Sequence, residues 1–98
     1  MGTFHHDKGE YHGITVVVDT HGSTVWVGRC DTVLPEGVIL MDADMHDETK
    51  PDDAGAVRSK DEYLQQAKRF GVWKKHDRIV VPADQVASIL PLGQYGSA

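Results

Sequence analysis

The sequence contains a single cysteine, no long apolar run and no excess of positive charge. Cys30 cannot form an internal disulfide, and its position in a strand-like segment favours a small buried side chain over a reactive thiol. No apolar run approaches the roughly 20 residues that a membrane helix needs, and the first residues lack the basic-then-apolar order of a signal peptide. We therefore expect a soluble, cytoplasmic protein without a membrane partner.

The sequence also lacks the signatures of common enzymes. Neither Gly37 nor Gly71 belongs to a glycine-rich phosphate loop, and neither the serines nor Cys30 have the surroundings of a catalytic nucleophile. A net charge of -5 argues against a general nucleic-acid coat, which carries a basic excess. We expect a protein without enzymatic activity.

A β-hairpin over residues 24–47 is the strongest pattern that is present. Apolar segments at 25–27 and 38–41 suit a pleated, buried surface, and Pro35 with Gly37 predicts the tight turn between them. The 98 residues are enough for one domain with a modest core. Because an isolated hairpin is only marginally stable, other strands should complete one sheet around it.

Three further strands and one helix are predicted around this hairpin. Residues 13–19 alternate as a strand, and two more strands at 78–81 and 86–90 flank the turn that begins at Pro82. Ser59 and Glu62 form a capping box for an amphipathic helix at about 60–70, within an insertion at 46–76. Segments 1–12 and 93–98 are predicted to be an N-terminal arm and a flexible tail.

Two of these segments resemble the motifs of the Sm/LSm family. Residues 38–43, VILMDA, resemble the end of that family's third strand, and residues 79–89, IVVPADQVASI, are similar to its second motif at most apolar positions and at Asp84. The resemblance implies a mainly β fold, a five-stranded small barrel, here with one short helix inserted between strands three and four. It also implies a homo-oligomeric ring.

The chain departs from the family where Sm proteins hold a nucleotide. The loop equivalent to the family's asparagine loop, residues 32–37, is one residue shorter, and Pro82 and Ala83 stand at the positions of the family's arginine and glycine. The resemblance therefore supports the barrel and the ring more strongly than it supports selection of uridine.

An acidic, histidine-containing segment is a candidate site for a divalent metal. Carboxylates and imidazoles are metal ligands, and a solvated acidic loop is the alternative interpretation. Histidine is also frequent, so that a cluster formed by the N-terminal arm could bind zinc or sense pH, or the histidines could simply lie on the surface. The candidate metal ligands are Asp42, Asp44, His46 and Asp47, and the histidines considered are His5, His6, His12, His21 and His46.

A basic segment with interleaved aromatic residues is a candidate nucleic-acid surface. Phosphate contacts and base stacking are how such segments bind single strands. In a first alternative Phe70 and Trp73 pack the helix onto the barrel; in a second, basic and acidic segments face each other between neighbouring subunits. The candidate nucleic-acid residues are Lys68, Arg69, Trp73, Lys74, Lys75 and Arg78.

Together these patterns predict a non-enzymatic, Sm-like, ring-forming binding or scaffold protein with a weak, sequence-tolerant surface for RNA or single-stranded nucleic acid. Two alternatives stay open: a metal-binding or metal-sensing domain, and a structural subunit of a larger complex. No cofactor is expected unless the metal interpretation holds.

Overall fold

A computed structural model describes residues 11–52 and 54–96 of the chain. Within these residues the five strands form one antiparallel sheet in the order β4-β3-β2-β1-β5, which confirms the predicted mainly β fold with one helix between the third and fourth strands. No helix in this part of the chain is long and apolar enough to cross a membrane. The elements are β1 Thr15–Thr20, β2 Thr24–Leu34, β3 Gly37–Asp47, α1 Lys60–Phe70, β4 His76–Pro82 and β5 Val86–Pro91, with short 3₁₀ turns at Ala83–Gln85 and Leu92–Gln94.

The central hairpin is formed by β2 and β3, and its turn lies at Pro35 and Glu36 as predicted. Two register shifts, at Val27/Arg29 and Cys30/Thr32, interrupt the ladder between the two strands. Bulges of this kind bend a strand and increase its twist. The long hairpin can therefore curve and bury residues on both of its faces.

The sheet is open among the described residues. β4 pairs only with β3, and β5 pairs only with β1, so that these two strands form its edges. The Sm-like topology is present, while the ladder between the first and last edge that would close a barrel within one subunit is absent from this part of the chain.

The core consists of two apolar clusters on opposite faces of the sheet. β1 contributes to both, because Val16 and Val18 face one cluster and Val17 faces the other. Cys30 is buried in the first cluster, where burial raises the pKa of its thiol. A buried thiol of this kind is a small apolar core residue, as its place in the sequence indicated.

Helix α1 covers the second cluster. Ser59 and Glu62 form the predicted capping box, and Gly71, with φ of 82°, donates its N–H to the carbonyl of Ala67 at the C-terminus. Leu64 and Ala67 are the buried residues of the helix. The helix was predicted at the correct residues because its stop and start signals are local.

Two contacts hold the helix to the sheet and to the end of the chain. Lys60 donates to Asp19 and to the carbonyl of Gly22, both at 2.7 Å, at the turn between β1 and β2. Tyr95 donates its hydroxyl to Asp61 at 2.6 Å and accepts from Lys68 at its carbonyl. Tyr95, within the predicted flexible tail, is therefore bonded to the helix at two places, while 97 and 98 lie outside the described residues.

The predicted N-terminal arm is described only at its last two residues. Tyr11 packs against the first cluster, and His12 lies 2.6 Å from the carbonyl of Asp31. Phe4, His5 and His6 lie outside the described residues. The insertion runs from 48 to 75, because β3 extends to Asp47 and β4 begins at His76.

Candidate functional site at the end of strand β3

A cavity of about 790 Å³ lies where the end of β3 meets helix α1 and the segments on either side of the helix. This volume falls within the range of small-ligand pockets. β3 provides a charged floor, the helix provides one wall, and the segment that follows the helix provides the rim. The lining residues include Asp44 and His46 from β3, Tyr63 and Phe70 from α1, and Trp73 and Lys75 from the segment after it.

Asp44 is a buried carboxylate at the floor of this cavity, with a side chain that is 9% exposed. Its Oδ2 accepts a 2.6 Å hydrogen bond from the hydroxyl of Tyr63. Its Oδ1 is buried and has no hydrogen-bond donor among the described residues, and the ammonium of Lys75 lies 3.7 Å away. Since a buried acceptor without a donor is costly and uncommon, Oδ1 is the atom of the site most in need of a partner.

Tyr63 binds this carboxylate and is itself packed against the ring of His46. The two rings stack with centroids 4.6 Å apart and an interplanar angle of 6°. Nε2 of His46 lies 2.7 Å from the carbonyl of Arg58, so that this nitrogen carries a proton and donates. Burial, followed by the hydrogen bond to Asp44, raises the pKa of Tyr63 well above its ordinary value. Tyr63 is therefore a neutral donor at physiological pH.

Two large aromatic side chains stand in solvent at the rim of the cavity. Phe70 is 76% exposed and Trp73 is 85% exposed. The guanidinium of Arg69 lies 5.3 Å from the centroid of the Phe70 ring. The interpretation in which Phe70 and Trp73 pack the helix onto the barrel is wrong, because both side chains lie outside the two core clusters.

The predicted basic surface is divided between two places and interleaved with acids. Lys68 contacts the carbonyl of Tyr95 at the end of the chain, whereas Lys74 and Lys75 lie beside β3. Lys74 pairs with Asp77 at 3.1 Å and with Asp42 at 3.4 Å. Arg78 is exposed in edge strand β4.

The acidic partners of Lys74 and Lys75 have a consequence for the charge of this face. Asp77, and then Asp42, raise the pKa of Lys74. Asp42 and Asp44 thus already pair with cations of their own subunit. The face presents a mixture of both signs rather than one positive patch.

The four residues predicted as metal ligands have other partners. Asp42, whose φ is 52°, pairs with Arg29 at 2.7 Å, and Asp47 accepts from the backbone and hydroxyl of Thr49 at 2.9 and 2.6 Å. The hydroxyl bond, followed by the backbone bond, lowers the pKa of Asp47 to about 2. Among residues 11–52 and 54–96, no three histidine, cysteine or acidic side chains come together as a metal-binding group. The metal site stays a prediction.

Two turns meet at the opposite end of β3, and the resemblance to Sm proteins implies a nucleotide site there. The structure brings these turns together, since the N–H of Ala83 donates to the carbonyl of Glu36 at 2.8 Å and Pro82 pairs with Gly37. A cavity of about 500 Å³ lies there, lined by apolar side chains such as Leu34 and Ile89, and by Tyr11 and Ser88. The charged and amide groups that would recognise a base edge are absent from its described lining.

Sequence patterns did not identify Tyr63 as part of a site, and Phe70 was considered only as one of the aromatic residues interleaved with the basic segment. Tyr63, Ala67 and Phe70 lie at i, i+4 and i+7, which is the spacing of one helix face. Of these three, Ala67 is buried, Tyr63 is partly buried and Phe70 is exposed. A tyrosine on an apolar face needs a partner for its hydroxyl when it is buried, and this requirement is the signal that could have linked Tyr63 to an acid elsewhere in the chain.

Comparison with known proteins identifies the fold. No protein-family model matches the chain, and no curated protein does. An Sm protein of Pyrococcus abyssii, solved in complex with a uridine heptamer, matches with a TM-score of 0.55 and 21% identity, over 85% of this chain and 89% of that one. A chain of the NatC complex bound to CoA matches with a TM-score of 0.52 and 13% identity, over 85% and 80%. The chain has a distant Sm-like fold, as the resemblance implied.

Proposed function

We propose that this protein is a non-enzymatic, Sm-like binding protein whose copies assemble head to tail into a ring that binds single-stranded nucleic acid. The observation that carries the proposal is the open sheet, with β4 at one edge and β5 at the other. An edge strand offers a row of backbone donors and acceptors that another chain can extend. Pairing with a neighbouring copy at each edge would satisfy the backbone groups of both strands.

The two edges are different strands, and this determines the kind of assembly. A contact between β4 of one copy and β5 of the next is heterologous, and such contacts form rings when the rotation closes. In β4, Val80 is 48% exposed, so that pairing with a neighbour would remove apolar surface from water. A homo-oligomeric ring is also what the resemblance to the Sm/LSm family implies.

Nucleic-acid binding is supported by the rim of the large cavity. Trp73 and Phe70 are exposed rings on which bases can stack, and Lys75 lies in the same cavity. The solved Sm neighbour holds a uridine heptamer. Since this chain has Pro82 and Ala83 at the family's arginine and glycine positions, phosphate contacts and stacking are the interactions we propose, without selection of uridine.

Light scattering after gel filtration tests the assembly. We expect a native mass several times the 10.8 kDa of one chain. The variant Val80→Lys places a charge on edge strand β4 and should give monomers, because charged edges resist pairing. Val57→Lys is the matched control, since Val57 is 62% exposed but lies outside the sheet edges. A wild-type protein that is monomeric at high micromolar concentration would contradict the ring.

Fluorescence anisotropy with short uridine, adenine and mixed DNA oligomers at two salt concentrations tests the binding. The double variant Lys74→Ala and Lys75→Ala should weaken binding of these oligomers about equally and flatten the salt slope by about two. Arginine at both positions is the control and should retain binding. Tight, uridine-selective binding that survives the alanine variant would contradict the proposed mode.

A structural subunit of a larger complex is the second candidate, and the exposure of Phe70 and Trp73 favours it. Exposed aromatic side chains next to a groove are common at protein interfaces. The second solved neighbour is a chain of a multi-subunit assembly, the NatC complex. A protein that binds no oligomer at low salt would favour this role over nucleic-acid binding.

A further inference from the structure

Three features that a nucleotide would use converge in the cavity at the end of β3. Asp44 lines its floor, and the Oδ1 atom of this carboxylate is buried and lacks a hydrogen-bond donor among the described residues. Its rim carries Phe70 and Trp73. Lys75 also lines the cavity, and its ammonium lies 3.7 Å from Oδ1 of Asp44 on a side chain that is half exposed. A hydrogen-bond acceptor, flat apolar rings and a cation in one pocket suit a planar base joined to a phosphate.

The carboxylate determines which base fits. An ionised aspartate only accepts hydrogen bonds, and each of its oxygens accepts two. Tyr63 uses one position on Oδ2 and fixes the orientation of the group, which leaves Oδ1 and the second position of Oδ2. Two neighbouring acceptors in one plane require two neighbouring N–H donors.

Guanine is the common base that offers such a pair on its pairing edge. Its N1–H and N2–H₂ groups are adjacent, whereas adenine and cytosine place an acceptor nitrogen next to their amino group. Uracil places a carbonyl on each side of its single N–H, and these oxygens would face a carboxylate. A negative acceptor pair therefore favours guanine and disfavours the other three.

Lys75 connects the base to the phosphate. In the structure its ammonium lies 3.7 Å from Oδ1 of Asp44, and its side chain is 50% exposed. When a base donates to Oδ1, this ammonium can turn toward the mouth of the cavity and contact a phosphate. One intramolecular ion pair is then replaced by two contacts with the ligand.

We propose that this cavity is a guanine-binding site in which Asp44 accepts from the base edge, Trp73 stacks on the base and Lys75 contacts the phosphate. The base can belong to a strand or to a free guanine nucleotide, because the recognised chemistry is the same. For a strand, the inference rests on the proposed nucleic-acid binding and adds one preferred base per subunit to it.

Anisotropy with uridine hexamers that carry one central guanine, adenine or cytosine tests this site. We expect the guanine hexamer to bind about ten-fold more tightly, which is the discrimination that one two-bond contact to a base provides. Asp44→Asn should abolish the preference, because the amide replaces one acceptor with a donor while its oxygen can still accept from Tyr63. Asp42→Asn is the matched control and should retain the preference, because Asp42 lies on the same strand but is not among the residues that line the cavity. Trp73→Ala should weaken binding of all three hexamers.

Competition with free nucleotides distinguishes the two sources of guanine and does not require a strand. Displacement of the labelled guanine hexamer by GMP but not by AMP supports a nucleotide site, and retained preference without displacement by GMP supports recognition within a strand. Equal affinity for the three hexamers, or a preference unchanged in Asp44→Asn, overturns the guanine site while the proposed strand binding stands. Absence of binding to any hexamer and to GMP overturns both.

Discussion

The two ends of strand β3 present different chemistry. At its start, the turn around Gly37 packs against the turn at Pro82, and the cavity there is lined by apolar side chains. At its end, Asp44 and His46 form the floor of a larger cavity with an aromatic rim. β3 has 11 residues, so these ends lie roughly 30 Å apart.

This difference shows that one fold can carry its polar groups at either end. The resemblance to Sm proteins places a nucleotide at the turn end, where this chain has Pro82 and Ala83. The insertion between β3 and β4 instead brings Tyr63, Trp73 and Lys75 to the opposite end. Function in this chain is therefore best sought at the insertion, since a fold constrains where a site can lie but not which site is used.

The largest expected effect is a loss of folding stability when a side chain on the buried face of the insertion is truncated, whereas truncation at its exposed rim should cost little. Leu64 is 3% exposed and packs against the second core cluster. Leu64→Ala should lower the free energy of unfolding by about 2–5 kcal/mol. Trp73→Ala should change it by less than about 0.5 kcal/mol, because the ring stands in solvent. Urea denaturation measures both, and a large loss of stability in Trp73→Ala would show that the rim belongs to the core.

A second substitution tests how tightly the turn end is closed. A Cβ atom added at Gly37 would collide with the carbonyl oxygen of Val81, a backbone atom of β4. Gly37→Ala should therefore cost about 1–3 kcal/mol by forcing β3 and β4 apart. Gly22→Ala is the control, because no atom lies within 4 Å of the added Cβ. Equal stability of the two variants in urea would mean that β3 and β4 can separate at this turn at little cost in free energy.

A smaller effect concerns the titration of Asp47, at the insertion end. Its folded pKa is about 2, below the ordinary 3.8, so its contribution to stability is present above the unfolded pKa and is lost as the pH falls toward 2. Thr49→Val removes the hydroxyl donor and should raise this pKa toward 3.8. Carbon-detected NMR titration measures it. Thr32→Val, which removes a donor from Asp31, should leave Asp47 unchanged.

The smallest expected effect is that of divalent metals. An ion bound only by the folded state raises the melting temperature with concentration. Because His46 and Asp47 already have hydrogen-bond partners, and no three histidine, cysteine or acidic side chains come together among the described residues, we expect zinc, manganese, calcium and magnesium to leave the transition unchanged. A concentration-dependent shift that disappears in Asp44→Ala with His46→Ala would restore the metal interpretation.

Local signals predicted the elements, and long-range contacts decided the site. The turn at Pro35 and the helix that starts after Ser59 depend on residues within four positions of one another, and both were predicted correctly. The hydrogen bond between Tyr63 and Asp44 joins residues 19 positions apart. No spacing rule connects them, because the contact exists only after the helix has packed on the sheet.

The exposure of Phe70 could not be predicted from the sequence for a related reason. Its spacing from Tyr63 and Ala67 is that of an apolar helix face, yet Leu64 and Ala67 are the buried residues of the helix, and Phe70 at its last position is exposed. Periodicity shows which residues share a face, while the length of the surface that covers this face depends on the other elements.

The pairing of β1 with β5 has a consequence for how the chain is made. β1, with sequence TVVVDT, can pair with β2 soon after both are synthesised. The other edge of β1 stays unpaired until β5 is synthesised, roughly seventy residues later. During that interval a valine-rich strand presents one unpaired side to other nascent chains. Slow translation or crowded polysomes should therefore favour aggregation through β1, and Asp19, within that strand, is its one charged residue that opposes such contacts.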